Sequence, residues 1–461
     1  GGEVSGDGGF IELSGNDLRV RGDVSLAAPN GAAGALLIDP PAISIENGTG
    51  SATSATVYEQ WIEGLSTAGT NVILAADDTI TMKDLADNVL QGGSGNISLS
   101  VLGDGSGDGI FFNDLNDKIA TTTGSIILNA IAGSGAMSGA VNVGYLETTG
   151  DFGDITINAG AGGIRVAGIS TGGAVSDPGY VNLWTVNSGD ITTGPISIIA
   201  TDSSSASANL WTNAAGDLTI NGDVLVSAAA NQNATASASS FALAYAYAYA
   251  GLNAGNNIIV NGNVTVDAAA INNAYYAAGA AAYAYLYAID NIGTGDITIT
   301  GDILVSADAE QTGASSGWGS AYAYAYAEIS DGGAGMSLGP ITVDAAAINN
   351  AYYAAGAAAS AYLDANANSG SLTINGSVNV SADATQTGAS ASGSVYAYAY
   401  AALNASGDII ITGDIAATAN ANAASASMEF GSAFAGLYAG NNITVYYPTH
   451  APRAYAPSFG D

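Results

Sequence analysis

Residues 295–307 read GDITITGDILVSA, two Gly-Asp pairs that each open a short run of β-branched and aliphatic residues. Gly-Asp is turn chemistry, and the runs behind it carry the β-branched alternation of strands. Just downstream, AYAYAYA (321–327) keeps a period of two, with every Tyr on one face and every Ala on the other. The turn-then-strand signature recurs near Gly216, Gly255, Gly295, Gly335, Gly370, Gly407 and Gly440, a spacing of about 33–40 residues. That period belongs to a solenoid, in which each repeat pairs only with its neighbours.

A longer period lies inside this one. VDAAAINNAYYAAGAAA occurs at 266–282 and again at 343–359, while VSADAEQTGAS at 305–315 returns as VSADATQTGAS at 380–390. Two coil types therefore alternate in a unit of about 75–77 residues. Looser coils begin near Gly95 (GNISLSV), Gly124 (GSIILNA), Gly153 (GDITINA) and Gly189 (GDITTG). Poly-Ala stretches such as Ala280–Ala282 would suit a helix, but the Gly, Asn and alternating Tyr around them weigh toward strand. The pattern divides the chain into 1–94, 95–215 (regular Gly-Asp/Asn coils), 216–440 (Tyr/Ala-rich coils) and 441–461, a last strand with a Pro-rich connector. Between 40 and 94 the segment WIEGLSTAGTNVILAADDTITM interrupts the regular coils.

Two columns support stacking. Six residues past the Val of each long strand stand Gln232, Asn272, Gln311, Asn349 and Gln386, carboxamides that can hydrogen-bond along the axis as in cross-β ladders. The tyrosines align as Tyr245, Tyr247 and Tyr249; Tyr283, Tyr285 and Tyr287; Tyr322, Tyr324 and Tyr326; and Tyr396, Tyr398 and Tyr400. Their face either lines a wide core, packs on another chain, or offers an aromatic platform to sugars.

Composition excludes several functions. The net charge is −34, and no Lys or Arg occurs between Arg165 and Arg453. Nucleic-acid binding needs several cations to neutralise phosphates, and none cluster here. No apolar run is long enough to insert in a membrane as a helix, and the absence of Cys removes thiol chemistry and disulfides. The single histidine, His450, stands among Pro448, Pro452 and Pro457, so no Ser/His/Asp set can form around it elsewhere; the chain reads as no enzyme. Asp104, Ser106 and Asp108, alternating with Gly, match the first half of a calcium loop. The pattern then departs at Leu115, with Asp114 adjacent, and calcium is the one candidate ion. Arg21-Gly22-Asp23 spells a cell-attachment tripeptide, but Gly-Asp occurs fourteen times in the chain as a turn pair. The sequons at Asn47, Asn263 and Asn375 are equally expected in a chain so rich in Ser, Thr and Asn.

Residues 8–48, GGFIELSGNDLRVRGDVSLAAPNGAAGALLIDPPAISIENG, resemble a segment of filamentous-haemagglutinin-like exoproteins of two-partner secretion systems. The pieces that carry the resemblance are Gly8-Gly9-Phe10-Ile11, Leu13-Ser14-Gly15, Ala28-Pro29-Asn30-Gly31 and Leu36-Leu37-Ile38-Asp39-Pro40; it extends to about residue 215, and the Tyr/Ala coils are not a usual feature of the family. The resemblance implies a secreted right-handed β-helix on a bacterial surface. The expected fold is thus all-β, a right-handed parallel β-helix (β-solenoid) of about a dozen coils, about 50–60 Å long at about 4.8 Å per coil. No capping helix is evident at either end. The expected function is an extracellular structural protein whose subunits stack head-to-tail into a filament, with Tyr446, Tyr447, Pro448, Tyr455 and Phe459 reaching a neighbour. The alternative is a monomeric, rod-like adhesin that binds glycans through its aromatic face.

Overall fold

The computed structural model describes residues 6–446, apart from 17, 21–23, 29, 54, 104–106, 132–138, 173–178, 234–241, 275–276, 291–294, 313–318, 334, 353, 389–392 and 425–427. Its strands form two sheets with parallel pairing throughout, one of fourteen strands and one of twenty-three. Each coil of the Tyr/Ala region contributes one long strand to the first sheet. It then adds a short and a long strand to the second, as in Ala242–Ala254, Ile258–Val260 and Val264–Asn272. The short and long strands are joined across a Gly turn such as Asn261-Gly262-Asn263, so the second sheet is two columns side by side. This is a parallel β-helix. Its first sheet counts fourteen strands where about a dozen coils were expected, and at about 4.8 Å per coil the axis spans about 65 Å.

Coils near the N-terminal end are narrow. Ile97–Val101, Ile126–Ala130 and Ile155–Ala159 are five residues each, with Ile97, Leu99, Ile126, Leu128, Ile155 and Ile157 completely buried. Farther along, the first-sheet strands lengthen to fourteen residues in Ala277–Asp290. In these wide coils the inward residues of the added length are alanines, among them Ala244, Ala246 and Ala248 facing Ala268 and Ala270, all at 0% exposure. Small side chains on both inner faces let two sheets meet with few voids.

The two-coil period is also visible in the packing. Two adjacent inward positions read Ala250/Leu252, Leu286/Ala288, Ala327/Ile329, Leu363/Ala365 and Ala401/Leu403 in successive coils, each pair in register with the next. Across these five coils a large side chain therefore lies over a small one; the alternation stops at the last coil, where Leu403 is in register with Leu437. The checkerboard spreads the few large inward residues evenly through this alanine-lined layer, whereas the narrow coils stack large residues directly, as Leu99 on Leu128.

The sequence reading needs three corrections here. The Gly-headed runs at 95, 124 and 153 enter the first sheet, whereas those from 189 onward enter the short column of the second. Local turn-and-strand chemistry is the same in both places, so the sequence alone cannot tell the columns apart. The interruption at 40–94 contains the helix Glu59–Thr67, which buries Ile62 and Leu65. It covers the open edge of strand Val89–Gln91: Glu63 Oε1 accepts from the Gln91 N–H at 2.8 Å and Ser66 Oγ from the Gly93 N–H at 3.0 Å. A cap is thus present where none was expected. Leu18, Val20, Val24 and Leu26 also pack, partly buried, against that end of the core.

Candidate assembly surface

Strand alternation settles which way the tyrosines face. With the alanines of AYAYAYA buried, the tyrosines must point outward. Tyr322 and Tyr396 keep 36% and 40% of their surface exposed. The rings stand in three columns along the axis: Tyr245, Tyr283 and Tyr322; Tyr247, Tyr285, Tyr324, Tyr362 and Tyr398; Tyr249, Tyr287 and Tyr326. Successive centroids lie 5.2–5.6 Å apart with the planes tilted by 34–41°, inside the range of favourable aromatic pairs. The columns do not follow the backbone register. Tyr247 is in register with Tyr283 but its ring sits on Tyr285, and Tyr285 is in register with Tyr326 but its ring sits 5.5 Å from Tyr324. The tyrosine block is displaced by one outward position in alternate coils, and the rings lean to compensate. Burial pushes the phenols of Tyr249 and Tyr324 up to about 12, with neighbouring tyrosines adding to it.

The five carboxamides occupy one in-register column at the corner between the sheets. They do not form a continuous axial ladder, because neither carboxamide atom of the fully buried Gln311 has a partner among the described residues. Their observed work is to close the corner. Asn272 Nδ2 donates to the Gly279 carbonyl at 2.6 Å, and Asn349 Nδ2 donates to the Gly356 carbonyl at 2.8 Å. Gly279 and Gly356 have φ of 152° and 155°, and a Cβ on either would meet a backbone oxygen of the next coil below 3 Å. The repeated INNAYYAAG thus encodes a pinched corner. An axial side-chain ladder does exist one residue further on, at the exposed position: Asn273 Nδ2 donates to Asn233 Oδ1 at 2.9 Å and Thr312 Oγ1 donates to Asn273 Oδ1. The same repeat period could have pointed to it.

Asp104 and Ser106 lie outside the described residues, as do Tyr447, Pro448, Tyr455, Phe459 and His450. Asp108 and Asp114 do not converge on one ion. The strand Gly109–Phe112 runs between them, and an extended chain advancing about 3.3 Å per residue holds them apart. Tyr446 is 59% exposed, and its N–H donates to the Ile411 carbonyl at 2.7 Å, extending the last ladder.

The two ends of the described molecule differ. The last coil consists of Ile415–Ala423, Met428–Ala439 and Ile443–Val445, paired only toward the preceding coil among the described residues. Its inward residues Ala419, Ala421, Leu437 and Val445 are only partly buried and the inward Ile443 is 48% exposed, while Met428, Phe430 and Tyr438 on its outer face are 64%, 48% and 60% exposed. The inner face of this twelve-residue strand carries one carboxylate, Glu429, in register with the inward Val395 and accepting from the Ala423 N–H at 3.0 Å, and is otherwise apolar through Ala433, Ala435 and Leu437; its open edge is a template for further strands. Elsewhere, Tyr180, Asn182, Asn209, Trp211, Tyr247 and Tyr249 line an open groove where the wide coils begin. The chain matches no protein family, no curated protein and no solved structure.

Proposed function

We propose that this chain is a non-enzymatic structural protein of an extracellular, bacterial surface or matrix filament, built by head-to-tail stacking of β-helical subunits. The observation that carries the proposal is the full-width last coil, whose strand edge and inner face, apolar except for Glu429, are left uncovered by the described residues while the opposite end is partly covered. Such heterologous contact does not close on itself and so propagates. The extracellular setting rests on the resemblance of residues 8–48 to secreted exoproteins, and agrees with a chain held by ladders and stacking: among the described residues the one ion pair is Lys118–Glu147.

Placing a charge on the inner face of the open coil tests this. Ala421→Lys keeps the solenoid but sets an inward cation at the growing edge. Sedimentation of the native protein is expected to show large assemblies for the parent and single subunits for the variant; equal assembly in both would refute end-on growth. The second reading, a glycan-binding rod, is favoured by the groove at Tyr180 and Trp211, where aromatic faces stand beside the amides of Asn182 and Asn209.

A further inference from the structure

Two stacked turns near the covered end hold an acidic cluster. Strand Thr79–Met82 pairs with Gly109–Phe112, ending at Met82 over Phe112, and Val89 pairs with Lys118. Between these fixed points lie Asp84-Leu85-Ala86-Asp87 in one coil and Asp114-Leu115-Asn116-Asp117 in the next. Carboxylate oxygens of Asp84, Asp114 and Asp117 all lie within 4.8 Å of one another.

What separates this group from an ordinary acidic turn is Asp117. Its side chain is 0% exposed, one oxygen accepts from the Leu85 N–H at 3.1 Å, and the other, Oδ1, has no hydrogen-bond donor among the described residues. An uncompensated buried carboxylate oxygen is costly. No cation among the described residues pairs with it: Lys118 Nζ is committed to Glu147 at 2.8 Å, and Lys83 forms no ion pair there. The charges that bear most on Asp117 are those of Asp114, Asp84 and Asp87.

We infer that Asp84, Asp114 and Asp117 bind a hard divalent cation, calcium, which ties two successive coil turns together. Calcium takes oxygen ligands at about 2.3–2.6 Å, so two ligands on opposite sides of it stand about 4.8 Å apart, the outer limit of this cluster. Three carboxylates supply the charge, and the exposure of Asp84 leaves room for water to complete the shell. The turn is already strapped to the coil before it, since Asn47 Nδ2 donates to the Asp84 carbonyl and Asn47 Oδ1 accepts from the Ala86 N–H, both at 2.7 Å. An ion here would therefore lock three consecutive turns beside the helix Glu59–Thr67.

Equilibrium dialysis of the full chain against calcium, in sodium chloride with equimolar magnesium, tests this inference. The expected result is one saturable site in the range of about 0.1–1 mM typical of extracellular modules. It should weaken by about tenfold or more in Asp117→Asn, as charge count tunes such sites, and persist in Asp302→Asn, which alters an exposed Gly-Asp turn. Asp84→Asn removes an exposed ligand without disturbing the core, and should weaken binding likewise even if Asp117→Asn fails to fold. Calcium should also raise the Tm of the parent but not of Asp84→Asn. Non-saturating uptake equal in every variant would mean a diffuse counter-ion atmosphere and overturn the site, as would a saturable site that survives Asp84→Asn or calcium displaced by equimolar magnesium.

Discussion

The coils around 95–160 and those around 242–405 use one ladder but different fillings. In the first group, five-residue strands enclose Ile and Leu, and nearly all side-chain burial is internal. In the second, the strands more than double in length and the added inner surface is Ala, which buries little apolar area per residue. The missing side-chain contact reappears outside, as three columns of tyrosine rings. A wide, flat coil thus gains lateral surface while its stability shifts from an aliphatic core to close Ala packing, a few staggered Leu and Ile, and ring stacking.

The largest expected effect breaks the checkerboard. Leu363→Ala should cost about 2–5 kcal/mol in unfolding free energy, since the large residue over Ala327 and Ala401 has no neighbour able to fill its space. A sharper version keeps composition constant. Exchanging Ala327→Ile with Ile329→Ala stacks large on large against Leu286 and Leu363, and should destabilise by about 1–3 kcal/mol, as overpacking does. A neutral exchange, measured by urea unfolding, would show that the alternation of large and small does not matter to the packing.

Alkaline pH should separate the two regions. The phenols of Tyr245, Tyr247, Tyr283, Tyr285, Tyr322 and Tyr326 are raised above their usual value of 10, by burial first, and those of Tyr249 and Tyr324 reach about 12. A group raised in the fold contributes stability that is complete below pH 10 and lost as pH rises through its folded value. Between about pH 10 and 12 the Tyr/Ala coils are therefore expected to loosen while the narrow coils hold, read by phenolate absorbance together with hydrogen exchange. Simultaneous loss of protection in both regions would show that the ring columns add nothing local.

The smallest effect is a single ring. Tyr285 touches Tyr247 at 5.6 Å and Tyr324 at 5.5 Å, and Tyr285→Ala should cost about 0.5–1.5 kcal/mol per ring pair lost. Ser98→Ala, on the outer face of a narrow coil, should stay within about 0.5 kcal/mol.

Much of this was legible in the chain. Period two in AYAYAYA and the Gly-Asp turns specify strands, and identical phrases at 266–282 and 343–359 specify stacking. Column identity was not legible, because GDITINA at 153 and GDITTG at 189 carry the same local chemistry and differ only in which turn precedes them in space. The outward face of the tyrosines was equally hidden, since Ala and Tyr are both acceptable inside and only the facing Ala268 and Ala270 decide between them. The acidic cluster escaped because its members, Asp84 and Asp117, lie one coil apart and meet only through register. The helix Glu59–Thr67 was visible merely as a break in the repeat.

The central claim is end-on assembly through the last coil, and electron microscopy of natively extracted protein tests it most directly. The account predicts filaments with an axial repeat of about 65 Å, set by fourteen coils at about 4.8 Å each. Discrete rods of that length, with no end-to-end contact at high protein concentration, would contradict it.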